Sequence, residues 1–131
     1  MEILEEYKKE ICEDTKIDQM NILDKQLMLP SIKHKWVSRL IDSKKKLNSL
    51  NKKKKDIKKL VVDQMQNDIP KGLPKAALDI KIEGSEKVKE ITESIENYEL
   101  LVDYLEKVEK IFASMSFDFK TATDLIKMET T

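Results

Sequence analysis

Lysine is the residue type whose spacing in this chain could do chemistry. Between positions 33 and 59 stand Lys33, Lys35, Arg39, Lys44, Lys45, Lys46, Lys52, Lys53, Lys54, Lys55, Lys58 and Lys59. These twelve cations face only Asp42 and Asp56, a formal +10. The residues before them sum to −4 and those after to −6, so a net charge of zero hides a dipolar chain. Such a run can capture a polyanion without covalent chemistry, and nucleic acid is the commonest such partner. Lys52 to Lys55 cover a full helical turn, Lys58 and Lys59 add the next, and with Lys44 to Lys46 they form a ladder along about 25 Å. Lysine offers a point charge and lacks the planar fork of arginine, so the pattern points to phosphate contacts and away from base reading. The competing reading is a solvated face paired to acids of a neighbouring helix. His34-Lys35-Trp36, with Arg39 close behind, is the second constellation, in which Trp36 either fills the core or stacks a nucleobase.

Catalytic patterns are missing. The one histidine and the one cysteine, His34 and Cys12, stand 22 residues apart. There is no Gly-x-Ser-x-Gly, no phosphate-cradling glycine loop and no His/Cys cluster with metal-ligand spacing. Acid pairs such as Glu86/Glu90 and Glu99/Asp103 are helical neighbours and read as a solvated face. The expectation is a non-enzyme without cofactor or metal. A lone cysteine fits a reducing cytoplasm. An acidic start without an apolar stretch argues against secretion, and no run approaches the roughly 20 apolar residues of a membrane span.

The elements that must carry these residues are helical. Charged residues make up 38 % of the chain, aromatics 5 %, and there are two glycines among 131 residues. That profile predicts an all-α single domain of long, solvated helices. Ile3, Leu4, Tyr7 and Ile11 space a short first helix, which Asp14, Thr15 and Asp18 stop. Met20 to Leu29 forms a second short stretch, broken at Pro30, with Ser31 capping the next helix. From 31 to 68 the 3–4 spacing of Trp36, Leu40, Leu47, Leu50, Ile57 and Val61 predicts one basic helix of about 36 residues, roughly 55 Å long. Its apolar register also passes through Ser43 and Lys54, so Lys54 must either snorkel or meet a partner. Residues 69–84 read as a connection with Pro70, Gly72 and Pro74 as breakers. Within it, Leu78 to Glu83 alternates apolar and polar, suiting a short strand or a plain loop. From 85 to 131 runs the acidic segment: a long helix on Val88, Ile91, Ile95, Tyr98, Val102, Leu105 and Phe112, a weak break at Ser114 to Phe117, and a last short helix from Asp118 to Met128. Two long helices around a Pro/Gly turn predict an antiparallel hairpin with short N- and C-terminal helices. The apolar faces of the last helix (Phe119, Leu125, Ile126) and of the first exceed what one hairpin covers, so the chain is expected to self-associate.

Taken in order, Asp14-Thr15-Lys16-Ile17-Asp18, Pro30-Ser31-Ile32-Lys33-His34-Lys35-Trp36, the basic helix, the Pro/Gly break and the apolar-striped helix resemble the UvsY family of phage recombination mediators. The segment from Phe112 to Lys127 is similar to the family's C-terminal part, with Phe117 and Lys120 at matching places. Met115 and Ser116 stand where the family has arginine and glycine, and Val61 where its basic helix carries an arginine; Lys58 and Lys59 carry over. The resemblance implies a non-enzymatic protein forming a ring-like homo-oligomer, a hexamer or heptamer, through its C-terminal segment (Phe112, Phe117, Phe119, Leu125, Ile126). It implies single-stranded DNA as ligand, with Lys58 and Lys59 the residues it carries over; the residue pattern itself makes Lys33, Lys35, Trp36, Arg39, Lys44, Lys45, Lys52, Lys53, Lys55, Lys58 and Lys59 the candidate contacts. The resemblance also implies two protein partners, a phage single-stranded-DNA-binding protein and a RecA-like recombinase of the UvsX type. The first is displaced and the second loaded on DNA in the cytoplasm of an infected bacterium, for homologous recombination and repair. The alternative from composition alone is a coiled-coil scaffold or chaperone-like oligomer that binds no nucleic acid.

Overall fold

The computed structural model describes residues 1–65 and 73–130, with the side chains of Ser116 and Thr130 set aside. It is all-α, and no strand occurs among the described residues. The elements are α1 (Glu2–Asp14), α2 (Ile22–Met65), α3 (Lys75–Glu83) and α4 (Glu86–Thr130). They divide into two compact units, and each long helix contributes a segment to both. One comprises residues 1–42 and 101–131, the other 43–100.

α1 ends where Thr15 folds its hydroxyl back onto the Ile11 carbonyl at 2.8 Å. α2 then begins on a reciprocal cap. Asp18 Oδ1 accepts from the amides of Met20 and Asn21, while Asn21 Oδ1 accepts from the amide of Asp18. These bonds satisfy donors that a helix start leaves open. α2 runs 44 residues with Pro30 inside it, so the break expected there does not occur. An interior proline forfeits a helical hydrogen bond and costs about 3 kcal/mol. Leu29 and Ile32, buried on either side of it, offset that cost by leaving water. The expected end of this helix near Asp68 and the Pro70–Gly72 break lie outside the described residues.

In the first unit the core is built from Ile11 of α1, Leu29, Ile32, Trp36 and Leu40 of α2, and Leu101, Leu105, Val108, Phe112, Met115 and Phe119 of α4. The α2 and α4 segments run antiparallel: Trp36 and Phe112 line one cavity, and Gln19 Nε2 reaches Glu129 Oε2 at 3.0 Å. α4 is a single helix to Thr130, not a long helix plus a separate short one. Its buried positions step 101, 105, 108, 112, 115, 119, an unbroken 4–3 alternation. Met115 belongs to this stripe and bridges the place, Ser114 to Phe117, where a break was expected.

In the second unit Leu50 packs with Ile91 and Ile95, flanked by Leu47, Ile57 and Tyr98. Val61 packs with Ile82 and Val88, flanked by Val62, Met65 and Leu78. As residue numbers rise on α2 they fall on α4, so these segments too are antiparallel. Leu78 to Glu83 is neither strand nor loop but most of α3. The alternating residues include an i,i+4 pair: Leu78 and Ile82 face the Val61–Val88 cluster, whereas Ile80 is 73 % exposed. Ala76 and Ala77, strong helix formers, add to that choice.

Candidate nucleic-acid interface

The cations of α2 fall into two environments. In the first unit Lys35, Trp36 and Arg39 are held by α1. Lys35 Nζ sits 2.6 Å from Asp14 Oδ2 and 3.5 Å from Glu10 Oε1. Trp36 is 3 % exposed, and its indole N–H donates to the same Asp14 oxygen at 2.8 Å. Arg39 pairs with Glu10. Lys35 Nζ lies 5.2 Å and the Arg39 guanidinium 4.7 Å from the Trp36 ring centre, and Tyr7 meets that ring edge-on at 5.3 Å. The hydrogen bond from Arg39, then the charges of Arg39 and Lys35, hold the Glu10 carboxyl below its ordinary range despite partial desolvation. Of the two readings of Trp36, burial and these neighbours favour the core. Lys35 and Arg39 already lie over its ring, so a nucleobase stacking there would have to displace them.

Lys33 is half-buried and lines a cavity of about 170 Å³ whose other walls are Trp36, Val37, Glu109, Phe112 and Ala113.

The second unit presents its cations differently. Lys44, Lys45, Lys46, Lys52, Lys53, Lys55 and Lys59 are exposed. Lys45, Lys52 and Lys59 recur every seven residues, so they align on one side of the helix about 10 Å apart, opposite the buried stripe. Lys55 falls between the last two. Among the described residues, none of these four makes an ion pair. Lysines at i,i+4, such as Lys55 and Lys59, repel by about 0.2–0.5 kcal/mol in a helix. The local cost is tolerated because lysine is a good helix former and the opposite face is buried.

Lys54 and Lys58 are the exceptions. Lys54 lies on the buried register and snorkels until its Nζ is 3.8 Å from Glu83, while Lys58 Nζ reaches the other oxygen of the same carboxylate at 2.7 Å. The Lys58 hydrogen bond, helped by the charges of Lys54 and Lys58, lowers the Glu83 pKa. Lys58 is thus already engaged by the end of α3.

The residues expected at a subunit contact also divide. Phe112 and Phe119 are each 2 % exposed and belong to the core of their own unit. Phe117 is 77 % exposed and Leu125 56 %, with Ile126 half-buried. On α1, Ile11 is buried and Tyr7 lies against Trp36, so much of that apolar face is covered within the chain. Sequence reasoning missed the carboxylates of Glu10 and Asp14. Their i,i+4 spacing beside Tyr7 and Ile11 is the signal that could have found them.

No group of three or more His, Cys, Asp or Glu that could hold a metal occurs among the described residues. Among them, no helix is long and apolar enough to cross a membrane.

A family model described as recombination, repair and ssDNA binding protein UvsY matches residues 10–131. No curated protein matches the chain. Among solved structures, it is similar to the crystal structure of the bacteriophage T4 recombination mediator protein UvsY in lattice type IV. The identity is 19 % and the TM-score 0.83, over 96 % of this chain and 98 % of that one. Against lattice type II of the same T4 protein the identity is 18 % and the TM-score 0.82, over 98 % of both chains. At such identities the likeness establishes a shared fold.

Proposed function

The chain belongs to the UvsY family of recombination, repair and single-stranded-DNA-binding proteins, and on that premise we propose that it is a non-enzymatic recombination mediator whose single-stranded DNA runs along the exposed lysines of α2. The observation that carries this reading is the row Lys45, Lys52, Lys55 and Lys59, exposed and without a carboxylate partner among the described residues. Lys44 and Lys53 flank the row. Lys58, Lys35 and Arg39 join only if a strand displaces the acids that hold them, and Lys33 and Trp36 belong with that inner set. The whole chain acts as one mediator domain in the cytoplasm of an infected bacterium. It helps a phage recombinase of the RecA type replace a single-stranded-DNA-binding protein.

Self-assembly suits this role. A ring of six or seven copies, joined through exposed residues such as Phe117 and Leu125, would repeat a modest lysine row into a long track and raise avidity without new contacts. Wrapping the strand then shifts which protein occupies it, with no chemistry in the mediator itself. Light scattering at micromolar concentration should give a mass of six or seven chains; the mass of one chain would remove the ring.

Fluorescence anisotropy of labelled single- and double-stranded DNA across a salt series tests the binding. Tight, salt-sensitive binding with a single-strand preference is expected. Replacing Lys45, Lys52, Lys55 and Lys59 by Ala should lower the log–log salt slope by about 0.7 for each phosphate left unneutralised, with helicity unchanged. Unchanged binding in that variant would move the site elsewhere. No binding by the native chain at low salt would leave the helical scaffold.

A further inference from the structure

We propose that the DNA path in the second unit has two walls, with Lys53 of α2 and Lys87 of α4 meeting successive phosphates from facing helices. This rests on the nucleic-acid reading and extends it to a second helix. Lys53, Ile57, Lys87, Glu90, Ile91 and Ser94 line a cleft of about 220 Å³ between the two antiparallel segments. Its lining alternates in character. Ile57 and Ile91, partly and fully buried, form an apolar floor, and the two exposed lysines stand on facing helices above it. A chain with a charged backbone and flat, weakly polar rings fits such a cleft. The rings cover the isoleucines while the phosphates meet the ammonium groups. A duplex cannot do this, because its base faces are stacked away.

Lys87 is placed against local electrostatics. It lies in the first turn of α4, where the helix dipole is positive and disfavours a cation. Carboxylates stand four residues before it, at Glu83, and three after it, at Glu90, yet among the described residues Lys87 pairs with neither. Glu83 is taken by Lys54 and Lys58. The unneutralised ammonium and the dipole end therefore add to one positive site, suited to an anion. Lys46, seven residues before Lys53 and also exposed, continues the same wall of α2. Because the segments are antiparallel, Lys53 lies toward Ser94 and Lys87 toward the other end of the cleft, so the two ammonium groups are staggered along its length.

Lys89 supplies the control. It is exposed on the same helix, but two residues further on, about 200° around the axis, and it does not line the cleft. The experiment compares the full chain with Lys87→Ala, Lys87→Arg and Lys89→Ala, by anisotropy of a labelled single-stranded oligonucleotide across a salt series. Lys87→Ala should lose about 0.7 of the log–log slope and bind severalfold more weakly. Lys87→Arg should restore both, and Lys89→Ala should match the native chain. Equal effects of Lys87→Ala and Lys89→Ala, or no effect of either, would overturn the second wall and leave the α2 row standing. Failure of the native chain to bind is a different result and would sink the parent reading.

Discussion

Lys35 and Lys52 lie on the same helix, yet their surroundings give them different work. In the first unit α1 lays Glu10 and Asp14 over α2, so Lys35, Trp36 and Arg39 become a closed cluster of ion pairs and cation–ring contacts. In the second unit Lys45, Lys52, Lys55 and Lys59 meet no such acids among the described residues and face water. A count of positive charge treats the two groups alike. They differ in whether another segment brings carboxylates within reach. The first group is held within its unit by those acids, and the second stays in water.

The largest effect that tests this contrast is on Trp36. Trp36→Ala should destabilise the chain by about 3–5 kcal/mol in urea unfolding, because it empties a buried aromatic site. Lys52→Ala should stay within about 0.5 kcal/mol, as surface changes do. A Trp36→Ala cost below about 1 kcal/mol would mean that the closed cluster is not part of the core.

Asp14→Asn comes next. The shared oxygen that serves both Lys35 and the Trp36 indole loses its charge, at an expected cost of about 1–3 kcal/mol. The same change should leave the salt slope of DNA binding as it was. A steeper slope would show that the inner cations had been released to phosphates.

A smaller effect appears on the acid side. The folded-state pKa of Glu10 lies below the ordinary 4.5, through Arg39 first and Lys35 after it. A lowered carboxyl contributes stability that is present above its unfolded value and is lost as pH falls through the folded one. Glu10→Gln should therefore be less stable than the native chain near neutrality, with the difference fading below pH 4.5. A difference that persisted undiminished in acid would assign the effect to packing.

The smallest expected effect is Glu83→Gln, which frees Lys54 and Lys58 while removing only a partly exposed ion pair. Stability should barely move, and the salt slope should rise by up to about 0.7 for each lysine that then finds a phosphate. An unchanged slope would place Lys58 away from the DNA path.

Much of the fold was legible because it is local. Trp36, Leu40, Ser43, Leu47, Leu50, Lys54, Ile57 and Val61 keep a 4–3 step, and the structure places this register inward, polar members included. The misreadings came from local rules that distant contacts overrode. Pro30 signalled a stop, but burial of Leu29 and Ile32 carries α2 through it. Leu78 to Glu83 fits both period 2 and an i,i+4 pair, and only packing on Val61 and Val88 chose the helix. The site was legible as charge but not as its division. Asp14 lies 22 residues before Trp36, a separation that no helical spacing rule covers.

Sequence alone determined that the chain is helical, that one helix carries the positive charge, and which stripe of it is apolar, since periodicity and charge are properties of neighbours along the chain. The tertiary structure decided which of those charges are neutralised. An ion pair depends on carboxylates delivered from remote segments, Glu10 and Asp14 to one set of cations and Glu83 to another. The exposed row on α2 is the part that such deliveries left uncovered among the described residues.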